Sequence, residues 1–141
     1  MNTQMKPFQI YLLALILIEA ILSAYTAYAN TSGTGLCFLG ESCTTVQNSV
    51  YGQFLGIKIS IWGAIAFLLL AGIYYMTRSH YPHYKWYFSA VLLGTLAALA
   101  FIAIQFFVLK QLCSSCIIID TLMLAVAALS AYEFYQLKKY Y

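Results

Sequence analysis

Four long runs of apolar residues alternate with shorter polar segments along the chain. The runs cover about residues 8–29, 57–77, 85–110 and 114–137. Each run is long enough to cross the hydrocarbon core of a bilayer as an α-helix, which takes about 20 residues. The pattern therefore predicts an all-α integral membrane protein, a single domain over residues 1–141 in which four transmembrane helices form a bundle.

The composition of the chain agrees with that class. Its 141 residues are 63% hydrophobic and 8% charged, and the mean hydropathy is +0.81. A soluble domain carries about 25% charged residues. The net charge of +3 is small and scattered, which argues against a nucleic-acid-binding surface. A cleaved signal peptide is the alternative for the first run, but the length of this run favours a retained helix.

A long polar segment separates the first apolar run from the second. It begins with a glycine-containing loop and includes Cys37 and Cys43, a C-x5-C pair. Val46 and Phe54 then belong to an apolar stripe at helical spacing, so we expect a short amphipathic helix over residues 44–54. Such a helix would lie at the membrane surface or over the bundle, and it would hold Cys43 above the other helices.

The other two cysteines, Cys113 and Cys116, form a C-x-x-C pair at the start of the fourth run. The N-terminus of a helix carries partial positive charge and free N–H groups, which favour a thiolate. Cys116 would lie one turn deeper than Cys113, so we expect Cys113 to face water and Cys116 to face lipid-soluble molecules. This layout suits electron transfer from a water-soluble thiol to an oxidant in the membrane. Two inert small residues or a structural disulfide are the alternatives for the pair taken alone.

Basic residues predict the orientation of the bundle. An even number of crossings places both termini on one side, and that side has five basic residues against two on the other. Because cytoplasmic segments carry an excess of Lys and Arg, we expect cytoplasmic termini in a multi-pass protein of the cell (plasma) membrane. All four cysteines then lie at the outer face, where disulfides persist. The five are Lys6, Arg78, Lys85, Lys138 and Lys139, and the two are Lys58 and Lys110.

Two cysteine pairs at one face admit three kinds of chemistry. A tetrahedral zinc site could use all four thiolates, although the outer face of a membrane is a poor place to keep them reduced. Two structural disulfides would be static. A relay would use thiol–disulfide exchange between the pairs, and it would account for one pair in a loop and the other at a helix end.

The order of these motifs resembles the vitamin K epoxide reductase family, and most of all its prokaryotic members. The resemblance covers nearly the whole chain and includes the C-x-x-C pair that opens the last of four runs. It also rests on Cys37, Cys43, a serine six residues later at Ser49, and the glycines Gly56 and Gly63 around the start of the second run. It implies a four-helix bundle around a quinone. The activity implied is that of a membrane thiol:quinone oxidoreductase, which generates disulfides for extracytoplasmic protein folding with menaquinone, ubiquinone or a related ring.

The resemblance also implies a role for each site residue. Cys37 and Cys43 would be shuttle cysteines that take electrons from a partner protein. Cys43 would attack Cys113, and Cys116 would face the quinone. Ser49 would help to order the loop helix above the site.

Two departures from the family pattern shape the expected substrate. Many members fuse a thioredoxin-like domain to the bundle, whereas this chain ends at Tyr141, so we expect a separate thioredoxin-like or DsbA-like protein as the thiol partner. Asp120 stands where the vertebrate enzyme has a tyrosine near its quinone, and the second run has no asparagine of the kind that the vertebrate enzyme uses there. We therefore expect oxidation of such a partner rather than reduction of vitamin K epoxide.

We single out two acidic residues inside the apolar runs. Asp120 comes four residues after Cys116 and so shares its helix face. It would donate a proton to reduced quinone or bond to a quinone carbonyl, or else bond to a neighbouring helix as a neutral acid. Glu19 lies near the middle of the first run, where an ionisable group is commonly functional. A single acid in the first of four helices also suggests an alternative function, that of a small proton-coupled multidrug transporter. That family has a shorter first loop, and transport would give the four cysteines no role.

Two further alternatives concern the cysteines. The bacterial quinone-linked disulfide generator of the Dsb system also has four spans and two cysteine pairs. Its C-x-x-C lies in the first outer loop and its wider pair in the second, which is the reverse of the order here. A structural membrane protein with static disulfides would show no exchange with an added dithiol.

Overall fold

The computed structural model describes residues 6–32, 42–78 and 81–140, without the side chains of residues 30–32, 42, 43 and 81. Four helices in these ranges are long and apolar enough to cross a membrane, which confirms the predicted helical membrane bundle. In chain order the helices are α1 (Pro7–Ser32), α2 (Ser42–Asn48), α3 (Ile59–Thr77), α4 (Tyr81–Ala103) and α5 (Ser114–Tyr140), and α2 is the short one. The predicted shuttle residue Cys37 lies outside the described residues, and so does the side chain of Cys43.

The four long helices form a ring. α1 packs against α3 and α5, and α4 packs against the same two helices. The fully buried side chains between them include Leu12, Ile16, Tyr74, Val91 and Val126. Many other large apolar side chains, such as Phe107 and Met76, point outward and are exposed. Such outward apolar faces are what helices in contact with lipid require.

Consecutive long helices run in opposite directions, so the bundle has two distinct ends. We call one the terminal end, which holds Pro7, Thr77, Tyr81 and Tyr140. We call the other the cysteine end, which holds α2, Ile59 and Ser114. The five basic residues named above belong to segments at the terminal end, while Lys58 and Lys110 lie at the cysteine end.

The predicted loop helix is shorter than expected. α2 ends at Asn48, and the expectation of a helix up to Phe54 was wrong. The chain forms a 3₁₀ turn (Val50–Gly52) and then a hairpin of two short antiparallel strands, β1 (Gln53–Phe54) and β2 (Ile57–Lys58).

Two local features explain where the helix ends. Ser49 has extended backbone, and its hydroxyl donates to the carbonyl oxygen of Val46 (2.6 Å) and accepts from the N–H of Gly52 (3.2 Å). Such local bonds of a serine compete with helix continuation. Leu55 and Gly56 then have φ values of 54° and 77°, as a two-residue hairpin turn of the mirror-image type requires. The apolar side chains of these turns are therefore exposed at the cysteine end rather than packed as one helical stripe.

Candidate active site

The C-x-x-C pair caps the N-terminus of α5. The carbonyl oxygen of Cys113 accepts the N–H of Ile117 at 2.9 Å, and the sulfur of Cys113 accepts the N–H of Cys116 at 3.4 Å. Both cysteines are free thiols. Because the N–H groups at a helix N-terminus stabilise negative charge, the geometry suits a thiolate at Cys113.

The two thiols differ in their surroundings. Cys113 is fully buried and packs against Val46 of α2 and Leu109, so the expectation that it faces water was wrong. The reason is that α2 lies over the start of α5, which is one of the two positions expected for the loop helix, and there it covers the Cys113 thiol. Cys116 is partly buried and lines a cavity. Cys113 therefore contacts the segment that carries Cys43, whereas Cys116 contacts the cavity.

One amide side chain from α2 reaches both sulfurs. Gln47 Nε2 lies 4.0 Å from the Sγ atom of Cys113 and 3.9 Å from that of Cys116, and the residue is buried. Gln47 was not among the site residues predicted from the sequence. A signal was available, because Gln47 follows Cys43 by four residues and so lies on the same face of a helix.

A second amide side chain holds the backbone of the pair. The Oε1 atom of Gln105 accepts the N–H of Cys113 at 3.0 Å, and Gln105 is buried. Gln105 lies in a π-helical segment, Ile104–Leu109, that continues α4, and Lys110 then adopts a left-handed φ of 50° to reverse the chain. This residue was also missed, although a glutamine within an apolar run is costly in a membrane and so indicates a function.

The environment of Cys113 favours its ionised form. The hydrogen bond from the Cys116 thiol is the largest influence, and the Gln47 amide adds to it. Burial opposes the charge, but together these groups lower the pKa of the Cys113 thiol to about 7. The thiolate is the form that takes part in disulfide exchange, so these surroundings favour exchange at Cys113.

A cavity of about 540 Å³ lies among the four long helices and α2. This volume falls in the range of sites that hold small organic molecules, about 300–1,000 Å³. Most of its lining is apolar, and it includes Gly63, Phe67, Leu93, Phe101 and Met123. The few polar side chains in the lining include Gln47, Gln105, Asp120 and Cys116.

Asp120 occupies the position expected from its spacing. It lines the same cavity as Cys116, and its Oδ2 atom is buried without a hydrogen-bond partner among the described residues. A buried polar atom without a partner is unfavourable, so this oxygen is available to a ligand with a polar group. An apolar cavity with one unpartnered carboxyl oxygen fits a quinone, which has an apolar ring and tail and two carbonyl oxygens.

Ser49 does not line the cavity, but it supports the residues that do. Its hydrogen bonds to Val46 and Gly52 hold the 3₁₀ turn against the end of α2. A side chain at Gly52 would collide with the carbonyl oxygens of Val46 and Gln47. The turn that Ser49 begins is therefore packed against the end of α2, which carries the residues that reach the C-x-x-C pair.

Replacing Gln47 by leucine is expected to raise the pKa of Cys113 toward the ordinary range of a thiol. The rise should be partial, because the Cys116 hydrogen bond is the larger influence. Alkylation of Cys113 by a small reagent, followed by mass spectrometry, should then show its midpoint at higher pH. At neutral pH the rate should fall a few-fold and at most about tenfold, since a hydrogen bond to a charged group contributes about 1.5 kcal/mol at the low end.

The matched control is Asn48→Leu, at an exposed neighbour on the same short helix. It should leave the alkylation midpoint unchanged. Equal midpoints for Gln47→Leu and the unaltered protein would show that Gln47 does not stabilise the thiolate.

Comparison with known families gives one match over most of the chain. The family model described as the vitamin K epoxide reductase family matches residues 10–131. No curated protein matches the chain.

Proposed function

The chain belongs to the vitamin K epoxide reductase family and is a multi-pass membrane thiol–disulfide oxidoreductase, and on this premise we propose that it links a thiol partner to a membrane quinone. The partner is a thioredoxin-like or DsbA-like protein. Electrons pass from it through Cys37 and Cys43 to Cys113 and Cys116. The purpose of the reaction is to generate disulfides for protein folding outside the cytoplasm.

The observation that carries the proposal is the asymmetry of the C-x-x-C pair. Cys113 is buried beneath α2, whose first turn includes Cys43. Cys116 lines an apolar cavity of about 540 Å³. One thiol thus faces the helix that carries Cys43, and the other faces the space suited to a lipid-soluble oxidant.

The relay begins with two exchanges between thiols and disulfides. A partner thiolate attacks Cys37 in the Cys37–Cys43 disulfide, and the second partner thiol then resolves the mixed disulfide, so the partner is oxidised and the loop pair is reduced. The Cys43 thiolate next attacks Cys113 in the Cys113–Cys116 disulfide and expels Cys116 as a thiolate.

The final steps restore both pairs. Cys37 resolves the Cys43–Cys113 bond, which re-forms the loop disulfide and leaves Cys113 and Cys116 reduced. The quinone accepts two electrons and two protons and becomes a quinol. Cys113 and Cys116 lose those two electrons and return to the disulfide. The backbone N–H of Cys116 and the amide of Gln47 support the sulfur of Cys113 throughout.

We also propose that the termini are cytoplasmic and that the cysteine end faces the outside of the plasma membrane. Five basic residues in the segments at the terminal end against two at the cysteine end support this orientation. The outer face is also where a thiol partner for disulfide formation works.

The proposal is tested with the purified protein, a reduced thioredoxin-like partner and either menaquinone or ubiquinone in lipid. Quinol should form in equal amount to the partner disulfide. A protein with all four cysteines replaced by serine should form neither product. Absence of quinol with both quinones and with both thioredoxin-like and DsbA-like partners would overturn the proposed electron path.

Replacing Asp120 by asparagine is expected to slow quinone reduction by between about tenfold and 10²-fold, the effect of losing a positioned proton donor or hydrogen bond. Disulfide exchange with the partner should stay intact, because Asp120 lies in the cavity rather than beside α2. Quinol formation and mixed-disulfide formation are measured separately. Thr121→Val, an exposed neighbour whose hydroxyl bonds within its own helix, should behave as the unaltered protein. Unchanged quinol formation in Asp120→Asn would assign Asp120 a structural role.

A further inference from the structure

A carboxyl group in the middle of α1 is completely enclosed. Glu19 is 0% exposed, and neither of its side-chain oxygens has a hydrogen-bond partner in the part of the chain that the structure describes. It shares a helix face with Ser23 and Thr26, and both of these line the cavity that contains Cys116. Glu19 therefore lies one helical turn from that cavity, about 6 Å along the helix axis.

A second buried carboxyl lies toward the terminal end of the bundle. Glu133 accepts hydrogen bonds from Gln9 Nε2 at 2.9 Å and from the hydroxyls of Tyr74 and Tyr84 at 3.0 Å each. The side chain of Gln9 is only partly buried, and its Oε1 atom accepts the backbone N–H of the exposed residue Lys6. Glu133 is therefore connected to the surface of the protein at the terminal end.

Hydroxyl groups continue from Glu133 toward Glu19. The Tyr84 hydroxyl lies 3.3 Å from the backbone oxygen of Ser130, and the Ser130 and Tyr87 hydroxyls are 2.8 Å apart. Glu19 is the next polar side chain toward the cavity. It lies near Tyr87, but no hydrogen bond joins the two among the described residues. Tyr84, Tyr87, Ser130 and Glu19 are each 0% exposed. These residues form a chain of polar side chains through an otherwise apolar bundle.

We propose that this chain of side chains, which we call the polar file (Gln9, Glu133, Tyr84, Ser130, Tyr87 and Glu19), conducts protons from the terminal end to the cavity. Hydroxyl and carboxyl groups can both donate and accept hydrogen bonds, so a proton can pass between them by exchange. The Gln9 amide only donates to Glu133 and holds it near the surface. From Tyr84 to the Ser130 hydroxyl and from Tyr87 to Glu19 no hydrogen bond joins the side chains directly, so these side chains rotate into contact as the proton passes. Glu19 is the last carboxyl before the cavity and the group that delivers the proton. The proposal explains why an unpartnered acid is retained where its burial is unfavourable. It rests on the proposed function, because it concerns the protons that quinone reduction consumes.

A proton path from the terminal end means that the reaction moves positive charge from one side of the membrane to the other. Oxidation of the partner dithiol to a disulfide releases two electrons and two protons at the cysteine end. The two electrons pass through Cys113 and Cys116, and quinone reduction takes up two protons. When those protons arrive through the polar file, two are removed at the terminal end for each quinol formed. The compartment at the terminal end then becomes alkaline and negative relative to the other side.

The test uses the full-length protein in sealed liposomes with menaquinone in the lipid and a pH-sensitive dye inside. A reduced thioredoxin-like protein is added outside, so that it engages only molecules whose cysteine end faces outward. We expect the interior to become alkaline by two protons per quinol. Glu19→Gln should abolish this internal uptake and slow quinol formation by about 10²-fold, as on loss of a positioned proton donor. Glu19→Asp, which keeps an exchangeable carboxyl, should restore much of both.

The matched control is Thr95→Val on α4. The Thr95 hydroxyl bonds to the Val91 carbonyl of its own helix at 2.7 Å, and Thr95 belongs neither to the polar file nor to the cavity lining. It should keep the full internal alkalinisation. Mixed-disulfide formation with the partner should also remain normal in Glu19→Gln, which shows that the variant is folded.

Three results would overturn the inference. The first is quinol formation by the unaltered protein with no internal alkalinisation, which leaves the proposed function standing. The second is internal alkalinisation at a near-native rate in Glu19→Gln. The third is loss of mixed-disulfide formation in both Glu19→Gln and Glu19→Asp, since it would make Glu19 a structural residue. Absence of quinol formation in the unaltered protein is a different outcome, because it would overturn the proposed function and the inference together.

Discussion

Replacing Cys116 by serine is expected to abolish quinone reduction while a disulfide between Cys43 and Cys113 still forms. In this variant the Cys113 thiolate attacks Cys43 of the loop disulfide and expels Cys37 as a thiolate. Cys116 is the member of the pair that lines the cavity, so its thiolate is the group placed to pass electrons to a lipid-soluble oxidant. Removal of a reacting nucleophile lowers turnover by about 10³-fold or more. Quinol formation measures the loss, and mass spectrometry of unreduced peptides identifies the disulfide.

A visible absorption band provides a second measurement on the same thiolate. In a Cys37→Ser protein the Cys43–Cys113 disulfide should persist, because the resolving thiol is absent, and Cys116 should remain free. A thiolate held against a quinone donates electron density into the ring, so this protein with bound quinone should show a charge-transfer band. The band should be missing when Cys116 is also serine. Ile118→Ala, at an exposed position two residues after Cys116 and on another face of the helix, serves as the control and should keep both turnover and disulfides. Quinol formation by Cys116→Ser at a near-native rate would contradict the direction of the relay.

Replacing Cys43 by serine should stop turnover and trap the partner protein on Cys37. Cys37 follows the glycine-containing stretch of the first loop, and we expect it to be the cysteine that the partner attacks. Without Cys43 no thiol reaches Cys113. The partner in this experiment has a single cysteine, activated as a mixed disulfide with a small thiol, so the Cys37 thiolate attacks it, expels the small thiol and forms an adduct that no second thiol resolves. Quinol formation should fall by about 10³-fold or more, and the adduct should accumulate on a non-reducing gel.

The assignment of the two loop cysteines depends on the converse experiment. Cys37→Ser should form little adduct under the same conditions, since its remaining loop cysteine lies in the first turn of α2 above the C-x-x-C pair. An adduct trapped on Cys43 in Cys37→Ser, with none on Cys37 in Cys43→Ser, would reverse the two roles.

Some polar residues of the site could be predicted from the sequence and others could not, depending on how far along the chain their partners lie. Asp120 was found because helical spacing from Cys116 is a local relation, which sequence displays directly. Gln47 was not found, because its partners Cys113 and Cys116 are 66 and 69 residues away along the chain. Glu133 was missed because its partners are also distant along the chain. It lies inside the fourth apolar run, where its polarity was visible, but its partners come from the starts of α1 and α4 and the end of α3.

Four membrane helices, their alternating directions and the location of the C-x-x-C pair at the start of the last helix could all be predicted from the amino-acid sequence. These features depend on the lengths of apolar runs and on helical spacing, which are properties of neighbouring residues. Other features were visible only in the folded molecule: α2 ends at Asn48 and covers Cys113, Gln47 and Gln105 hold the pair, and buried polar side chains lie between Glu133 and Glu19. Those features depend on which side chains from different helices meet inside the bundle, and such contacts are set by packing rather than by any local pattern.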